Sequence, residues 1–481
     1  HKKSLLMKRF KIPAVAVFFL IFFGFIRLNG QTEDKKVLIH YMGWFGAGEH
    51  GRHWSSKQPH TPLIGYYSSL SWATQMYHIL LSWSCGIDGL VINVKDIYDE
   101  ECMKTLVQTL KRLYAMNLSY FSYDYSISYD DQGLLNTEAA INKFMYLRDY
   151  ILPEPIDFLR YNGTPAVFAF NYPNEYLTAE QYSAALDDVF PTGKPILVWN
   201  QIESTASGYV NSFYPWVEPG GNVWNGTNWG KVYLDWFYPE LDKYSNKLDF
   251  VTGGVWAGFD DRNNECWGGT RWIDRQEGWV YEKTWEYINN YSGIVPIQWV
   301  LLETWNDWNE GTEIEPSLES GYQYLIKTIE SINGFKGKSI STDTVRFEQV
   351  KDIYSLADSI ERGLKDSATC YPQLENAVRS LVQKYPVSCC HDIHSSSSLR
   401  LDMFPNPASS EIRIITSFAE ELYGSLVISD MNGRIVEILH SGRFTIGKNV
   451  FVWNSPAIQR GIYICSFQTN RGWLVKKIIL F

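Results

Sequence analysis

The sequence is poor in the residues that build metal centres. Seven Cys and nine His are scattered over 481 residues. The Cys show no metal-ligand spacing, and His40, His50, His53 and His60 form no credible ligand set. Neither a metal nor an organic cofactor is expected. An odd number of Cys forbids complete pairing, so no bridge is assigned. Cys389 and Cys390 are adjacent in a linker-like stretch, while Cys85 and Cys102 fall in predicted helices and read as buried thiols. Basic stretches are absent beyond the N-terminus. With a net charge of −10 and a pI near 5.5, this argues against nucleic acid or an anionic membrane as partner. The long apolar run, Val15 to Ile26, is too short and wrongly flanked to span a bilayer. It follows Met7-Lys8-Arg9, where Met7 reads as the true start, and precedes a cleavage point at Asn29-Gly30-Gln31 that lacks the usual small-x-small pattern. Residues 1–30 read as a secretory signal whose removal leaves no stable membrane span; a retained anchor is the alternative.

Aromatic residues are plentiful. There are 19 Trp and 31 Tyr, and several Trp (Trp44, Trp54, Trp216, Trp224, Trp229, Trp267) stand in polar company, which suits stacking on sugars. Large barrels also bury many aromatics, and for any single Trp burial is the simpler reading.

From Lys36 the pattern alternates between strand and helix. Strands are predicted at Val37–Phe45, Gly89–Val94, Leu118–Tyr125, Ala166–Tyr172, Pro195–Asn200, Val232–Phe237, Phe250–Trp256 and Gln298–Glu303. Helices are predicted at 71–85, 100–117, 137–152, 179–189 and 283–290. Eight strands in a βα rhythm predict an α/β fold, a (β/α)8 TIM barrel. The Gly-, Asn- and Trp-rich stretch 201–231 reads as a long substrate-side loop. Strand ends gather at one face of such a barrel. They bring His40, Tyr41 and Trp44, then Asn93, Asp124, Asn171, Trp199 with Asn200, Asp235, and Trp256 with Asp260 and Asp261. Each Asp or Asn alone would pass for a turn residue or helix cap. The series favours a polar cleft for a hydroxyl-rich ligand.

The chain is organised around its last predicted strand. Ile297 to Leu302 is apolar, and Glu303 opens a stretch in which Asp307, Glu310, Glu313 and Glu315 stand among Trp305, Trp308, Asn306 and Asn309, closed by Gly311 and Pro316. Glycoside hydrolysis needs two carboxyl groups facing one bond. Asp307 and Glu310 would diverge on a straight strand and converge only if the chain turns, which Asn309 and Gly311 favour. Trp305 and Trp308 offer flat faces for a sugar ring.

The run Trp305-Asn306-Asp307-Trp308-Asn309-Glu310-Gly311-Thr312 resembles the Asn-Glu-Trp-His-Glu-Gly-Thr motif of the endo-α-mannosidase family, glycoside hydrolase family 99, in which both Glu are catalytic. It is also similar to the Trp-Asn-Asp-Tyr-Gly-Glu of the α-1,3-glucanase family, glycoside hydrolase family 71. Asp replaces Glu at 307 and Asn replaces His at 309, so the run is a hybrid of the two. Gly258-Phe259-Asp260-Asp261 with Thr270-Arg271, and Tyr66-Tyr67-Ser68-Ser69 with His78, extend the likeness to the first family over about residues 37–333. The resemblance implies Glu310 as general acid and Asp307 as base, the latter taking a proton from a sugar 2-hydroxyl or from water. Asp260, Asp261 and Arg271 would hold hydroxyls, and Glu303 is a reserve candidate, as a sugar-hydroxyl or structural ligand.

Residues 336–398 read as a helical segment, over 350–364 and 374–384, followed by the Ser395–Ser398 linker. It could be barrel-edge helices or a spacer. From Leu399 the pattern changes to short alternating strands. Phe404-Pro405-Asn406-Pro407-Ala408, the Asp430-Met431-Asn432-Gly433-Arg434 turn, Gly461-Ile462-Tyr463 and Lys476-Lys477 before an apolar tail resemble the type A sorting domain of the type IX secretion system, a small β-sandwich; a carbohydrate-binding sandwich is the alternative. The expected domains are thus 1–30, 31–335, 336–398 and 399–481. Together they imply a secreted or surface-held endo-acting glycosidase, with α-mannan-type or α-1,3-glucan-type substrate and the type IX machinery as partners. A non-catalytic glycan-binding protein on the same barrel is the rival reading.

Overall fold

The computed structural model describes residues 35–54, 57–171, 176–219, 224–262, 264–265, 269–387 and 400–480 apart from 405, 407, 409–410, 419–421, 431–433, 446, 455–459 and 470–471. The expected signal, Cys389 with Cys390, the Ser395–Ser398 linker and Trp267 lie outside the described residues.

Eight parallel strands alternate with helices. They are β1 (Lys36–Met42), α1 (Trp72–Ser84), β2 (Gly89–Val94), α2 (Ile97–Ala115), β3 (Asp124–Asp130), α3 (Thr137–Tyr146), β4 (Thr164–Phe170), α4 (Ala179–Val189), β5 (Ile196–Asn200), β6 (Ser212–Tyr214), α5 (Lys231–Tyr244), β7 (Val251–Trp256), α6 (Trp279–Tyr291), β8 (Ile297–Glu303) and α7 (Gln323–Lys336). The ladder runs β6-β5-β4-β3-β2-β1-β8-β7. Its two ends, β6 and β7, are joined by a hydroxyl–hydroxyl hydrogen bond of 3.0 Å between Ser212 and Thr252. The α/β barrel expected from the sequence is therefore present, nearly closed.

The pleat sorts the side chains. Leu38, Val91, Phe168, Val198, Trp299 and Leu301 fill the lumen. Their chain neighbours Ile39, Ile92, Val167, Leu197, Val300 and Leu302 pack under the helices. Each such buried side chain stabilises the fold by roughly 1.5–3 kcal/mol. Continued two residues further, the same alternation brings His40, Asn93, Asp130, Phe170, Asn200 and Glu303 to the top of the lumen.

Two strand assignments differ from expectation. Val232–Phe237 is not a strand but part of α5. Its aromatic and β-branched residues suggest a strand, yet Leu234, Phe237, Tyr238 and Leu241 are the buried residues, at helical spacing. The missing strand is the three-residue β6, inside the expected loop. Strand β3 starts at Asp124 rather than ending there. Its lumen side is Ser126, Ser128 and Asp130, so no apolar run marks it.

Beyond the barrel, α8 (Val345–Glu361) packs on α1, and α9 (Ser367–Lys384) on α8. Glu361 caps the start of α1, accepting from the N–H groups of Trp72 and Ala73 and from the Ser71 hydroxyl. The helical segment is thus built onto the barrel edge. The C-terminal part forms two antiparallel sheets. One is β9 (Arg400–Phe404), β10 (Glu411–Phe418) and β13 (Gly447–Asn454); the other is β12 (Ile435–Phe444), β11 (Leu422–Asp430), β14 (Gly461–Thr469) and β15 (Gly472–Leu480). Ile412, Ile414, Leu426, Ile428, Trp453 and Phe467 form its separate core. Among the described residues, no helix is long and apolar enough to cross a membrane.

The seam between β6 and β7 gives a stability test. A Cβ at Gly254 would stand 2.6 Å from Pro215 Cγ and 2.9 Å from the Pro215 carbonyl oxygen. Gly254→Ala is expected to destabilise by ~1–3 kcal/mol through overpacking, read as a lower urea midpoint with unchanged m-value.

Candidate active site

The loop after β8 folds back on itself. Trp305 N–H donates to the His40 carbonyl at 2.8 Å, Glu315 N–H to the Trp305 carbonyl at 2.8 Å, and Ile314 N–H to the Thr304 carbonyl at 3.0 Å. The Asn306 side chain ties this loop to the end of β1, accepting from Met42 N–H at 2.8 Å and donating to the Met42 carbonyl at 2.9 Å. Within the loop, Asp307 Oδ1 accepts the N–H groups of Asn309 and Glu310, both at 3.1 Å, and Asp307 N–H donates to Thr304 Oγ1 at 2.8 Å. Gly311 completes the turn with φ +57°, a left-handed value that suits glycine. These bonds put Asp307 and Glu310 on one turn at the mouth of the barrel.

Asp307 is 2% exposed, whereas Glu310 is half-buried. Burial pushes the Asp307 carboxyl up to about 7. Glu313 adds to that, and the two loop N–H groups and His40 oppose it. Glu313 is fully buried, yet it is held below the usual carboxylate range by Arg275, assisted by His60 at 2.7 Å. Glu315 is a structural anchor, bound by His78 Nε2 at 2.9 Å, the Tyr67 hydroxyl at 2.7 Å and Trp308 Nε1 at 3.2 Å.

Beside the loop, His40 Nδ1 lies 2.9 Å from Glu303 Oε2, both side chains buried. Burial raises the Glu303 carboxyl, and His40 opposes it. Asn93 donates to Asp130 at 3.2 Å. His40 Nε2, Glu303 Oε1, Asn93 Oδ1 and both amide atoms of Asn200 are buried without a hydrogen-bond partner. Such atoms are costly unless water or a ligand meets them. Trp216, half-buried, stands edge-on to His40 and to Phe170, with ring centroids 5.4 and 4.9 Å apart.

Several expected site residues lie elsewhere. Asp124 sits at the N-terminal end of β3, paired with Lys36 at the opposite end of the barrel from the mouth, because the strand begins there. Tyr41 and Trp199 point outward; Tyr41 bonds His78 at 3.1 Å, and Trp199 packs on Tyr182 of α4. Trp305 and Trp308 are not exposed platforms. They are 1% and 0% exposed, turned under the loop by its fold-back. Trp256 is also buried and donates to the Trp229 carbonyl at 2.9 Å. Asp260 is engaged by Arg262, and Asp261 by Arg271, so these carboxylates shape the neighbouring loop. Asp235 is on α5, bonded to Lys231 and Tyr287. Trp44 remains at the mouth, donating to Asn309 Oδ1 at 3.2 Å and stacked on His53. His40 and Glu303 meet at the top of the lumen, where β5 also ends in Asn200, and Asp307 and Glu310 share the turn that follows β8. Asp130 and Phe170 were missed; the alternation Tyr125, Ile127, Tyr129 against Ser126, Ser128, Asp130 was the signal that could have placed Asp130. Among the described residues, no group of three or more His, Cys, Asp or Glu is placed to hold a metal ion.

Residues 402–480 match the family model of the secretion system C-terminal sorting domain. Two solved structures of a family 99 endo-α-mannosidase from Bacteroides thetaiotaomicron, one in complex with Bis-Tris propane, are similar to this chain at 16% identity and a TM-score of 0.51. The match covers 63% of this chain and 98% of theirs. At that identity the likeness shows the fold. A comparison with curated proteins finds no match.

The burial of Asp307 has a signed consequence. Its folded value, about 7, lies well above the 3.8 of an ordinary aspartate. Its contribution to stability is therefore full below about pH 4 and lost as pH rises to about 7. Asp307→Asn keeps the Oδ1 acceptor and removes the charge. The variant is expected to be more stable than wild type above pH 7, by on the order of 3 kcal/mol, with the difference vanishing near pH 4. Thermal melts across that range check it.

Proposed function

We propose that this chain is a secreted or surface-held glycoside hydrolase that cleaves α-linked polysaccharide internally. The observation that carries the proposal is the single turn bearing Asp307 and Glu310 at the mouth of the barrel, where one carboxyl is buried and the other half-buried. Two carboxyl groups with different surroundings suit two roles in one reaction. Glu310 protonates the leaving glycosidic oxygen. Asp307 acts as base, and a carboxyl titrating near neutrality suits that role. It takes the proton of the sugar 2-hydroxyl, giving a cyclised sugar that water opens with net retention, or the proton of an attacking water, giving inversion. The orphaned polar atoms of Asn93, Asn200 and His40 favour a hydroxyl-rich ligand, and Trp216 presents a partly open aromatic surface beside them.

In this reading residues 31–335 form the catalytic domain, 336–398 its helical edge and linker, and 399–481 the export domain. The sorting domain supports export across the outer membrane, with the type IX machinery as partner and release or surface retention as the end point. The fold of the family 99 enzymes and the Asp307–Glu310 motif support an α-linked mannan or an α-1,3-glucan as substrate.

The test is incubation of the protein with α-mannan and with α-1,3-glucan, followed by sizing of the products. Oligosaccharides are expected from one polymer, with turnover lowered about 10²–10⁴-fold in Glu310→Gln and in Asp307→Asn. Sugar binding without turnover in the wild type would instead establish a glycan-binding protein.

A further inference from the structure

Trp224 and Trp229 stand out in the sequence as candidates for sugar stacking, and a two-carboxyl cleavage at the mouth uses neither. Both belong to the stretch between β6 and α5 that also carries Trp216 to the mouth. Trp229 is the buried one, 2% exposed. Its Nε1–H donates to the Gly226 carbonyl at 3.2 Å, and its own carbonyl accepts Trp256 Nε1–H at 2.9 Å. Between the two Trp, Asn225 Oδ1 accepts the Thr227 N–H at 2.9 Å, and the Thr227 hydroxyl and Asn228 N–H at 3.0 Å each. The stretch is thus bonded to itself and to the end of β7.

The third ring is Trp279, the first residue of α6. It stands edge-to-face with Trp224, ring centroids 6.3 Å apart, and with Trp229 at 5.8 Å. Trp224 is half-buried, and Trp279 is 39% exposed. The turn that delivers Trp279 is strained. Gln276, Glu277 and Gly278 have φ of +47°, +54° and +90°, and for the two non-glycine residues that backbone is unfavourable. The strain leaves the ring open to solvent instead of packing it. The same turn is tied to the acidic loop. Arg275, four residues before Trp279, donates to the carbonyls of Gly311 at 3.0 Å and Glu313 at 2.8 Å, and its own carbonyl accepts the Gly278 N–H at 2.9 Å. The open ring is therefore continuous with the loop that carries Asp307 and Glu310. Its surroundings are polar and balanced in charge: Lys283 Nζ lies 5.5 Å from the Trp279 centroid and pairs with Glu286 at 2.7 Å, and Thr227 is exposed nearby in the Trp224–Trp229 stretch. An aromatic face with neutralised polar neighbours suits the C–H face of an uncharged sugar ring.

We propose that Trp279 and Trp224 form a distal subsite, on which a sugar residue of the polymer stacks while the bond to be cut lies at Asp307 and Glu310. Trp229 is the buried foundation beneath it. The consequence is a preference for long chains over short ones. The proposal rests on the reading of the mouth as a site for a polysaccharide.

The experiment compares chain lengths. Wild type, Trp279→Ala, Trp279→Tyr and Trp224→Ala are given α-mannan, α-1,3-glucan and oligosaccharides of increasing length from each. On the polymer that is cut, the two Ala variants are expected to raise KM about tenfold and to leave kcat close to wild type, as loss of one aromatic anchor would. On the shortest oligosaccharide cut, the rise is expected to stay within about twofold. Trp279→Tyr keeps a flat ring and recovers most of the loss. An equal loss on short and long substrates, or no loss on either, overturns the proposal. Electrophoresis of the same proteins through gels containing each polymer separates the subsite from the glycosidase reading. If wild type cuts neither polymer but is retarded by one, and Trp279→Ala migrates freely, the subsite stands and the glycosidase reading falls. If neither polymer is cut and neither retards wild type, both fall. If Trp279→Ala does not fold, Trp224→Ala carries the comparison. If neither folds, wild type decides: a kcat/KM that rises with chain length supports the distal subsite, and one independent of length overturns it.

Discussion

Carboxyl groups buried at the top of a nearly closed barrel are the constraint on which the mouth of this protein depends. A charged carboxylate taken out of water must find a cation, several N–H donors or a proton. Each of these solutions occurs within a few residues of the last strand. Glu313 has Arg275, Glu315 has a shell of donors, Glu303 has His40, and Asp307 has two loop N–H groups that only partly offset its burial. Glu313 and Glu315, met by a cation or a shell of donors, hold the loop, whereas Glu303 and Asp307 stay raised by their burial.

The aromatic residues divide along the same line. Trp305 and Trp308 are part of the loop's own foundation, together with Tyr67, which links Glu315, Asn306 and Trp308 through one hydroxyl. Trp44 and Trp216, further back in the chain, are the ones that reach the mouth. An apolar ring next to the candidate carboxyls in sequence is turned inward because the loop must bury something beneath it. The surface available to a ligand is built from other strands.

The chain separates two tasks by fold. The barrel and its docked helical edge hold the candidate chemistry. The C-terminal sandwich has its own core and matches a sorting domain.

The sequence by itself determined the α/β barrel, the position of the acidic turn and the sorting domain. Each is written in local pattern: apolar runs at strand length, carboxylates directly after a strand, and turn residues at fixed places. It placed most of the helices as well, because their apolar spacing is local. It misread β3 and α5, where a lumen side made of Ser and Asp hid a strand and an aromatic-rich stretch disguised a helix. Only the tertiary structure decided which side of each strand faces the lumen. That choice moved Tyr41 and Trp199 out of the site and Asp124 to the far end, and brought His40, Asn200 and Glu303 to the top of the lumen from strands far apart in sequence. The reason is geometric. Pleat direction and strand register are set by packing between distant elements, and a one-residue shift exchanges core for site.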